Sequence, residues 1–592
     1  MKAPSAASAE TSRSSGSRGR DPARGRLVVV GFVFAAAFLS LGIRLVDLAT
    51  RAPLEAARSS TRGAALAAEG VSDVPDPRRA DIVDRQGHLL ATNIVTLSVT
   101  ADPAKVLDAR RTAVALAGAL DGVDEADLLR RLERGGRFVW VKRHISPREQ
   151  AAIQDLGLPG VAFTDSEMRA YPNGNLVSHV LGFVDIDNQG LAGLEYGLQR
   201  DLVGGEAEGK EPLRLALDLR VQEVVHDQLA RAVTDFRALG GCALVLDVHS
   251  RELVSLVSLP DFDPNHPERA PADARTNRCT GNVYELGSVF KIVTSAMALE
   301  SGRVSLYDRF DASEPLKIGR HTIRDDHGKW RVLAVPEIFA FSSNIGTAQM
   351  AFAAGGPAVQ QPFLESLGLT DKPKLDIPET QAPLVPAKWI DIVSATVSYG
   401  HGIAVAPLQF AESVAALVGD GRFARTRFLD AGEGAAPSGP RVVSEETVQA
   451  MRLLLWLTVD RGTGTNGHTQ GYLVGGKTGT ADKPADDRRG YERGAVIASF
   501  VGAFPIDQPR YVVMVTLDEP QGNDSTFGWR YGGWTAAPVV ADIVAIAGPL
   551  LGVEPTRPAI EASFDRQMHT IPVVNGRTHR EEEGFEVVRL AR

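Results

Sequence analysis

Ser288 and Lys291 stand three residues apart in Tyr284-Glu285-Leu286-Gly287-Ser288-Val289-Phe290-Lys291, where they form the single Ser-x-x-Lys of the sequence. A serine hydroxyl is a weak nucleophile. A neighbouring amine can take its proton when burial disfavours the ammonium form. The pair is therefore suited to acyl transfer. Gly287 supplies a tight turn, and Val289, Ile292, Val293, Ala296 and Leu299 recur at helical spacing. That pattern predicts a helix opening at Ser288 and stopping at Gly302. One helical turn sets Lys291 beside Ser288, and the helix N-terminus places the hydroxyl in a favourable field. A four-residue pattern also arises by chance, so it needs company.

Two further groups supply it. Ser342-Ser343-Asn344 is the only Ser-x-Asn, and Lys477-Thr478-Gly479 the only Lys-Thr-Gly. Ser342 and Asn344 fall on a short connection between two helical stretches, where a hydroxyl can relay a proton and an amide can bind a peptide. Taken alone, an N-cap serine and a solvated asparagine explain them as well. Tyr472 to Ala481 reads as a strand with glycines, which often marks close approach by a ligand or another backbone. Lys477 is a positive charge suited to a terminal carboxylate, and Thr478 and Thr480 add hydroxyls. Gly471 to Thr478 also satisfies the phosphate-loop pattern G-x-x-x-x-G-K-T. The polar stretch before it and Pro484 with Asp486-Asp487 after it do not supply the strand and helix that such a loop requires.

The order and spacing of the three groups resemble those of the penicillin-recognising serine transferases. The chain is similar to class B penicillin-binding proteins, and most to their septal, FtsI-type D,D-transpeptidases. Pro260-Asp261-Phe262-Asp263-Pro264-Asn265, Tyr399-Gly400-His401-Gly402 and Gly462-Thr463-Gly464 match further landmarks of that family. The resemblance implies catalytic roles for Ser288, Lys291 and Ser342. It implies substrate binding by Asn344, Lys477, Thr478, Gly479 and Thr480, and an oxyanion hole from the backbone N–H groups of Ser288 and Thr480. It implies no cofactor, and no Cys/His cluster has metal-ligand spacing.

The chain has 592 residues, too many for one core. Its net charge of −9 argues against general nucleic-acid binding. Residues 1–26 read as a basic tail. Residues 27–46 are apolar apart from Arg44 and read as a single membrane anchor. Lys2, Arg13, Arg18, Arg20, Arg24 and Arg26 before it place the N-terminus in the cytoplasm and the rest outside. A cleaved signal peptide is the competing reading, but no small-residue cleavage site follows. Residues 47–210 form a non-catalytic N-terminal domain, an elongated α+β pedestal by resemblance. Ile82-Val83 and Leu89-Leu90 make a hairpin there across Asp84-Arg85-Gln86-Gly87. Ala80 and Gln86 stand where the family pattern has glycine and asparagine. His179 and Glu195 are expected to hold loops rather than to catalyse. Residues 211–550 form the transpeptidase domain, a mixed α/β fold whose central antiparallel sheet is flanked by helices. Residues 551–592 are a tail. Cys242 sits in an apolar run and reads as a buried thiol rather than half of a disulfide.

The function implied is cross-linking of peptidoglycan stem peptides at the division septum. β-Lactams would bind covalently at Ser288, and a polytopic membrane lipid II polymerase and other division proteins would be partners. Nucleotides and nucleic acids would not. Side-wall elongation is the nearest alternative. A serine β-lactamase or D,D-carboxypeptidase shares the three groups but resolves the acyl-enzyme with water. A β-lactam sensor needs a signalling domain for which residues 1–26 are too short and polar. A catalytically dead scaffold fits poorly with three intact groups.

Overall fold

The computed structural model describes residues 79–203, 211–432, 434, 439–484 and 490–556, with isolated positions up to 566. The predicted basic tail, the anchor at 27–46 and the end of the C-terminal tail lie outside the described residues. The chain divides into two compact units. The smaller comprises Val99–Lys142 and Pro147–Phe163 in its described part. Its helices Ala109–Ala119 and Glu125–Glu133 open on Asp108 and Asp124, whose carboxylates accept from Arg111 N–H and Asp127 N–H. These N-caps satisfy donors that a helix start leaves without intrahelical partners. Leu116, Leu128, Leu132 and Ile153 are among its buried apolar side chains.

The larger unit comprises Asp76–Ser98, Arg143–Ser146 and Thr164–Arg592. It opens on the predicted hairpin, with Ile82 opposite Ala91 and Val83 opposite Leu89. Asp84 accepts from the N–H groups of Gln86 and His88 at 2.8 Å each and so closes the turn. Glu195 accepts from Arg79 Nε at 2.8 Å and Arg169 Nε at 2.7 Å, all three being buried. His179 contacts the Ala274 carbonyl through Nε2 at 2.9 Å. Both residues thus tie loops together.

The central sheet has five antiparallel strands: β1 (Gly240–Asp247), β2 (Leu253–Leu259), β3 (Gly475–Pro484), β4 (Tyr491–Phe504) and β5 (Tyr511–Asp518), in the order β3-β4-β5-β1-β2. Alternation along the strands divides their side chains between two cores. Ala243, Val245, Val513 and Val515 face one core with helices α1 (Leu219–Asp235) and α6 (Gly532–Leu550). Leu244, Leu246, Val512 and Met514 face the other. That second core receives Ile292, Val293 and Ala296 of helix α2 (Lys291–Glu300) and Leu454 and Leu455 of helix α5 (Glu445–Arg461). Because the sheet is covered on both faces, β1, β2 and β5 read as apolar runs rather than alternating ones.

Helix α6 is long and apolar enough to cross a membrane by composition, but its Val540, Ile543, Val544 and Ala547 are buried in the sheet core. Helices α3 (Val335–Ala340) and α4 (Asn344–Ala354) contribute Ile338, Ile345, Ala348 and Ala351 to a third core with Met297, Phe310 and Leu333.

One expectation is corrected. Cys242 is buried, but it is bonded to Cys279 in a disulfide with a Cα separation of 5.3 Å. The β1–β2 hairpin reverses the chain and returns Cys279, 37 residues on, to β1. An apolar run around one cysteine carries no information about that return.

Candidate active site

The nucleophile turn differs from the predicted helix start. Gly287–Phe290 is one turn of 3-10 helix, and the α-helix begins at Lys291. In a 3-10 turn residues i and i+3 eclipse. Lys291 Nζ accordingly lies 3.0 Å from Ser288 Oγ. Gly287 has φ +58°, and a Cβ there would fall 2.4 Å from the Thr480 carbonyl oxygen. A Cβ on Gly479 would fall 2.3 Å from the Leu286 carbonyl oxygen. Turn and strand therefore meet backbone to backbone, and Gly479 serves this contact rather than presenting a side to the cleft.

The second corner is the α3–α4 connection. Ser342 has a left-handed φ of +63°, unusual for a residue with a Cβ. Ser343 caps α4 by accepting from Gly346 N–H at 3.0 Å. This arrangement aims Ser342 and Asn344 at Lys291. Lys291 Nζ lies 2.9 Å from Ser342 Oγ, 2.5 Å from the Ser342 carbonyl oxygen and 2.7 Å from Asn344 Oδ1. The carbonyl and the amide oxygen can only accept, so they take the two N–H bonds of a neutral amine. The single lone pair is then left to accept from one hydroxyl at a time, that of Ser288 or that of Ser342.

The third corner is β3, the end strand of the sheet. Lys477 Nζ donates to Ser342 Oγ at 3.0 Å and to the Thr478 carbonyl at 3.2 Å. Lys477 is fully buried. It therefore lies behind the cleft surface rather than on it. The cleft surface beside it consists of the hydroxyl residues Thr478 and Thr480. Together with Ser288, Ser342 and Asn344 they line a cleft of about 550 Å³. Lys477 and Thr478 lie within a strand, which removes the phosphate-loop reading.

Residues 241–545 match the penicillin-binding protein transpeptidase domain, and residues 75–209 the penicillin-binding protein dimerisation domain. The chain belongs to the penicillin-binding protein transpeptidase family. Among its relatives is the probable peptidoglycan D,D-transpeptidase FtsI of Caulobacter vibrioides, 39% identical over 80% of this chain and 82% of that protein. The peptidoglycan D,D-transpeptidase FtsI of Escherichia coli K12 is 30% identical over 81% of this chain and 84% of that protein. The crystal structure of penicillin-binding protein 3 from Mycobacterium tuberculosis complexed with aztreonam superposes with a TM-score of 0.64 at 25% identity. It covers 82% of this chain and 99% of that one.

Electrostatics set the state of the two lysines in this penicillin-binding protein. Desolvation lowers the Lys291 ammonium to a pKa of about 7, against the opposing pull of Asp325 and Asp326. Desolvation, with repulsion from Lys291, holds Lys477 well below the usual lysine range. Two residues of the site carry no signal in the motifs. Thr463 Oγ1 lies 2.8 Å from Thr478 Oγ1 and lines the cleft. Asp325 accepts from Ser343 Oγ at 2.7 Å. Their partners are remote in sequence, and only Gly462-Thr463-Gly464 stood out as a family landmark. Among the described residues, no group of three His, Cys, Asp or Glu side chains could hold a metal.

Proposed function

We propose that this chain is a monofunctional peptidoglycan D,D-transpeptidase working at the division septum through a Ser288 acyl-enzyme. The observation that carries the reading is the contact of Ser288 Oγ with a fully buried lysine amine whose ammonium form is disfavoured. Ser288 attacks the D-Ala–D-Ala carbonyl of a donor stem peptide, and its proton passes to Lys291. The Ser288 and Thr480 N–H groups receive the oxyanion. The C–N bond to the terminal D-Ala breaks, and the proton returns from Lys291 through the Ser342 hydroxyl to the leaving amine. An acceptor amine then attacks the ester, gives its proton to Lys291 and releases Ser288 with its hydroxyl restored.

The substrate carboxylate meets Thr478 and Thr480, with the Lys477 charge behind them. Asn344 spends Oδ1 on Lys291 and one N–H on the Arg324 carbonyl. Its second N–H is left for a donor carbonyl. A β-lactam enters the same sequence and stops at the ester, because its ring cannot depart and no acceptor can enter.

Residues 27–46 anchor the chain in the inner membrane with residues 1–26 in the cytoplasm. The pedestal at 47–210, the transpeptidase domain at 211–550 and the tail at 551–592 lie outside. The Cys242–Cys279 disulfide favours this placement, since such bonds persist in oxidising compartments. A separate polytopic lipid II polymerase supplies the glycan strands.

Purified protein treated with benzylpenicillin should gain one drug mass on the peptide holding Ser288, and Ser288→Ala should gain none. A stable adduct on another serine overturns the assignment, and rapid drug turnover points to a β-lactamase. Depletion should make cells filament; rounding would favour side-wall use.

A further inference from the structure

Asp325 lies 17 residues before Ser342 and belongs to none of the three motifs. Its two carboxylate oxygens are both engaged at the α3–α4 connection. Oδ2 accepts from Ser343 Oγ at 2.7 Å, and Oδ1 accepts from Ile345 N–H at 2.9 Å. Ser343 Oγ in turn accepts from Gly346 N–H at 3.0 Å. The neighbouring Arg324 carbonyl accepts from Asn344 Nδ2 at 3.1 Å. The segment 324–325 thus holds the three residues that follow Ser342 and lines the cleft through Asp325.

Ser342 needs such a restraint. Its left-handed backbone is disfavoured for a residue with a Cβ. On its N-terminal side, Ser342 N–H and Ser343 N–H bond the Phe339 and Ile338 carbonyls. On its C-terminal side the restraint comes from Asp325. Between the two, Ser342 Oγ is set 2.9 Å from Lys291 Nζ and 3.0 Å from Lys477 Nζ.

We propose that Asp325 is a positioning residue of the acyl-transfer site, fixing Ser342 Oγ between the two lysines through Ser343 and Ile345. The proposal rests on the Ser288 acyl-enzyme reading above. The hydrogen bonds and the charge have separate consequences. The groups facing Lys291 are Ser288 from its own turn, Ser342 and Asn344 from the α3–α4 connection, Lys477 from β3, and the charges of Asp325 and Asp326. The two carboxylates are the negative charges among these, and both favour the ammonium. Replacing one by a neutral amide leaves Lys291 unprotonated to lower pH.

The test measures the rate of Ser288 acylation by benzylpenicillin across pH for full-length protein in detergent, with variants Asp325→Asn and Asp325→Ala. Asparagine keeps an acceptor for Ile345 N–H but removes the charge. It should move the acid limb of the profile to lower pH, with a smaller fall of the plateau rate than in Asp325→Ala. Alanine removes both effects and should acylate roughly ten- to a hundredfold more slowly on the plateau, as expected when a reacting geometry loosens. A purely structural residue would lower the rate without moving the limb. An acid limb unmoved in Asp325→Asn overturns the proposal even if Asp325→Ala fails to fold, as does a wild-type plateau rate in folded Asp325→Ala. Wild-type protein that is not acylated at Ser288 would instead overturn the transpeptidase reading.

Discussion

Lys291 and Lys477 meet at one oxygen, their Nζ atoms lying 2.9 and 3.0 Å from Ser342 Oγ. Both amines are buried. Two ammonium groups around one hydroxyl would repel across a site that water does not screen. In the proposed mechanism, loss of a proton from this pair supplies the base; among the described residues the side chain bonded to Ser288 Oγ is Lys291.

Acylation should therefore fall as pH drops below about 7, the position to which burial lowers Lys291. The same group sets a stability trend. Its pKa is lower in the folded than in the unfolded state, so the unfolded chain binds more protons from about pH 7 up to the free-lysine range. Stability rises with pH across that window. Lys291→Met should abolish acylation and raise the melting temperature most at and below about pH 7, where burying the amine costs the most. A stopped-flow pH profile and thermal melts of both proteins check this.

Ser342→Ala and Ser342→Gly both remove the shared hydroxyl and should slow acylation by roughly ten- to a hundredfold. They should part in stability, because only glycine relieves the left-handed φ of +63°. Chemical denaturation should find Ser342→Gly more stable than Ser342→Ala by about 1 kcal/mol. Equal stabilities would mean that the turn is unstrained.

Thr478→Val removes a cleft hydroxyl and the Thr463 contact while leaving Lys477 in place. A lost charge-assisted hydrogen bond is worth about 1.5–3 kcal/mol, so acylation by carboxylate-bearing β-lactams should slow about ten- to a hundredfold. Lys477→Ala should slow it at least as much. A β-lactam without the carboxylate should react equally with wild type and Thr478→Val. Equal slowing of both drugs would remove Thr478 from carboxylate recognition.

The Cys242–Cys279 bond closes a loop of 37 residues, and such cross-links typically contribute about 2–4 kcal/mol. Alkylation of denatured protein should label neither cysteine before reduction and both after it. Cys242→Ser with Cys279→Ser should melt earlier than wild type. Labelling before reduction would restore the free-thiol reading.

Much of the site was legible because its chemistry sits in short contiguous groups. Ser288 to Lys291, Ser342 to Asn344 and Lys477 to Thr480 each lie within one turn or strand, so residue type and spacing suffice. The hairpin across Asp84-Arg85-Gln86-Gly87 was legible for a similar reason, since its apolar pairs and polar turn are local. The 3-10 start at Gly287 was not, because apolar periodicity over Val289 to Leu299 cannot distinguish a 3-10 first turn from an α-helical one. Asp325, the contact of Thr463 with Thr478 and the Cys242–Cys279 bond were hidden for another reason. Each acts on a residue brought to it by the fold, and one sequence does not encode that meeting locally. Lys477 stands out in the sequence through its Lys-Thr-Gly motif, but its burial beside Ser342 depends on the packing of three separate elements.

The bare contact of the nucleophile turn with β3 also bears on how the enzyme can vary. Gly287 and Gly479 leave no room for a Cβ against the opposite carbonyls. No rotamer change can absorb a side chain there, because the obstructing atoms are backbone. Selection by a drug acting at Ser288 therefore has no gradual route through these two positions, where any substitution that excludes the inhibitor also displaces the nucleophile. Tolerated change should collect at the cleft rim, where Trp529 and Tyr531 are partly exposed and can be remodelled without moving the backbone beneath Ser288.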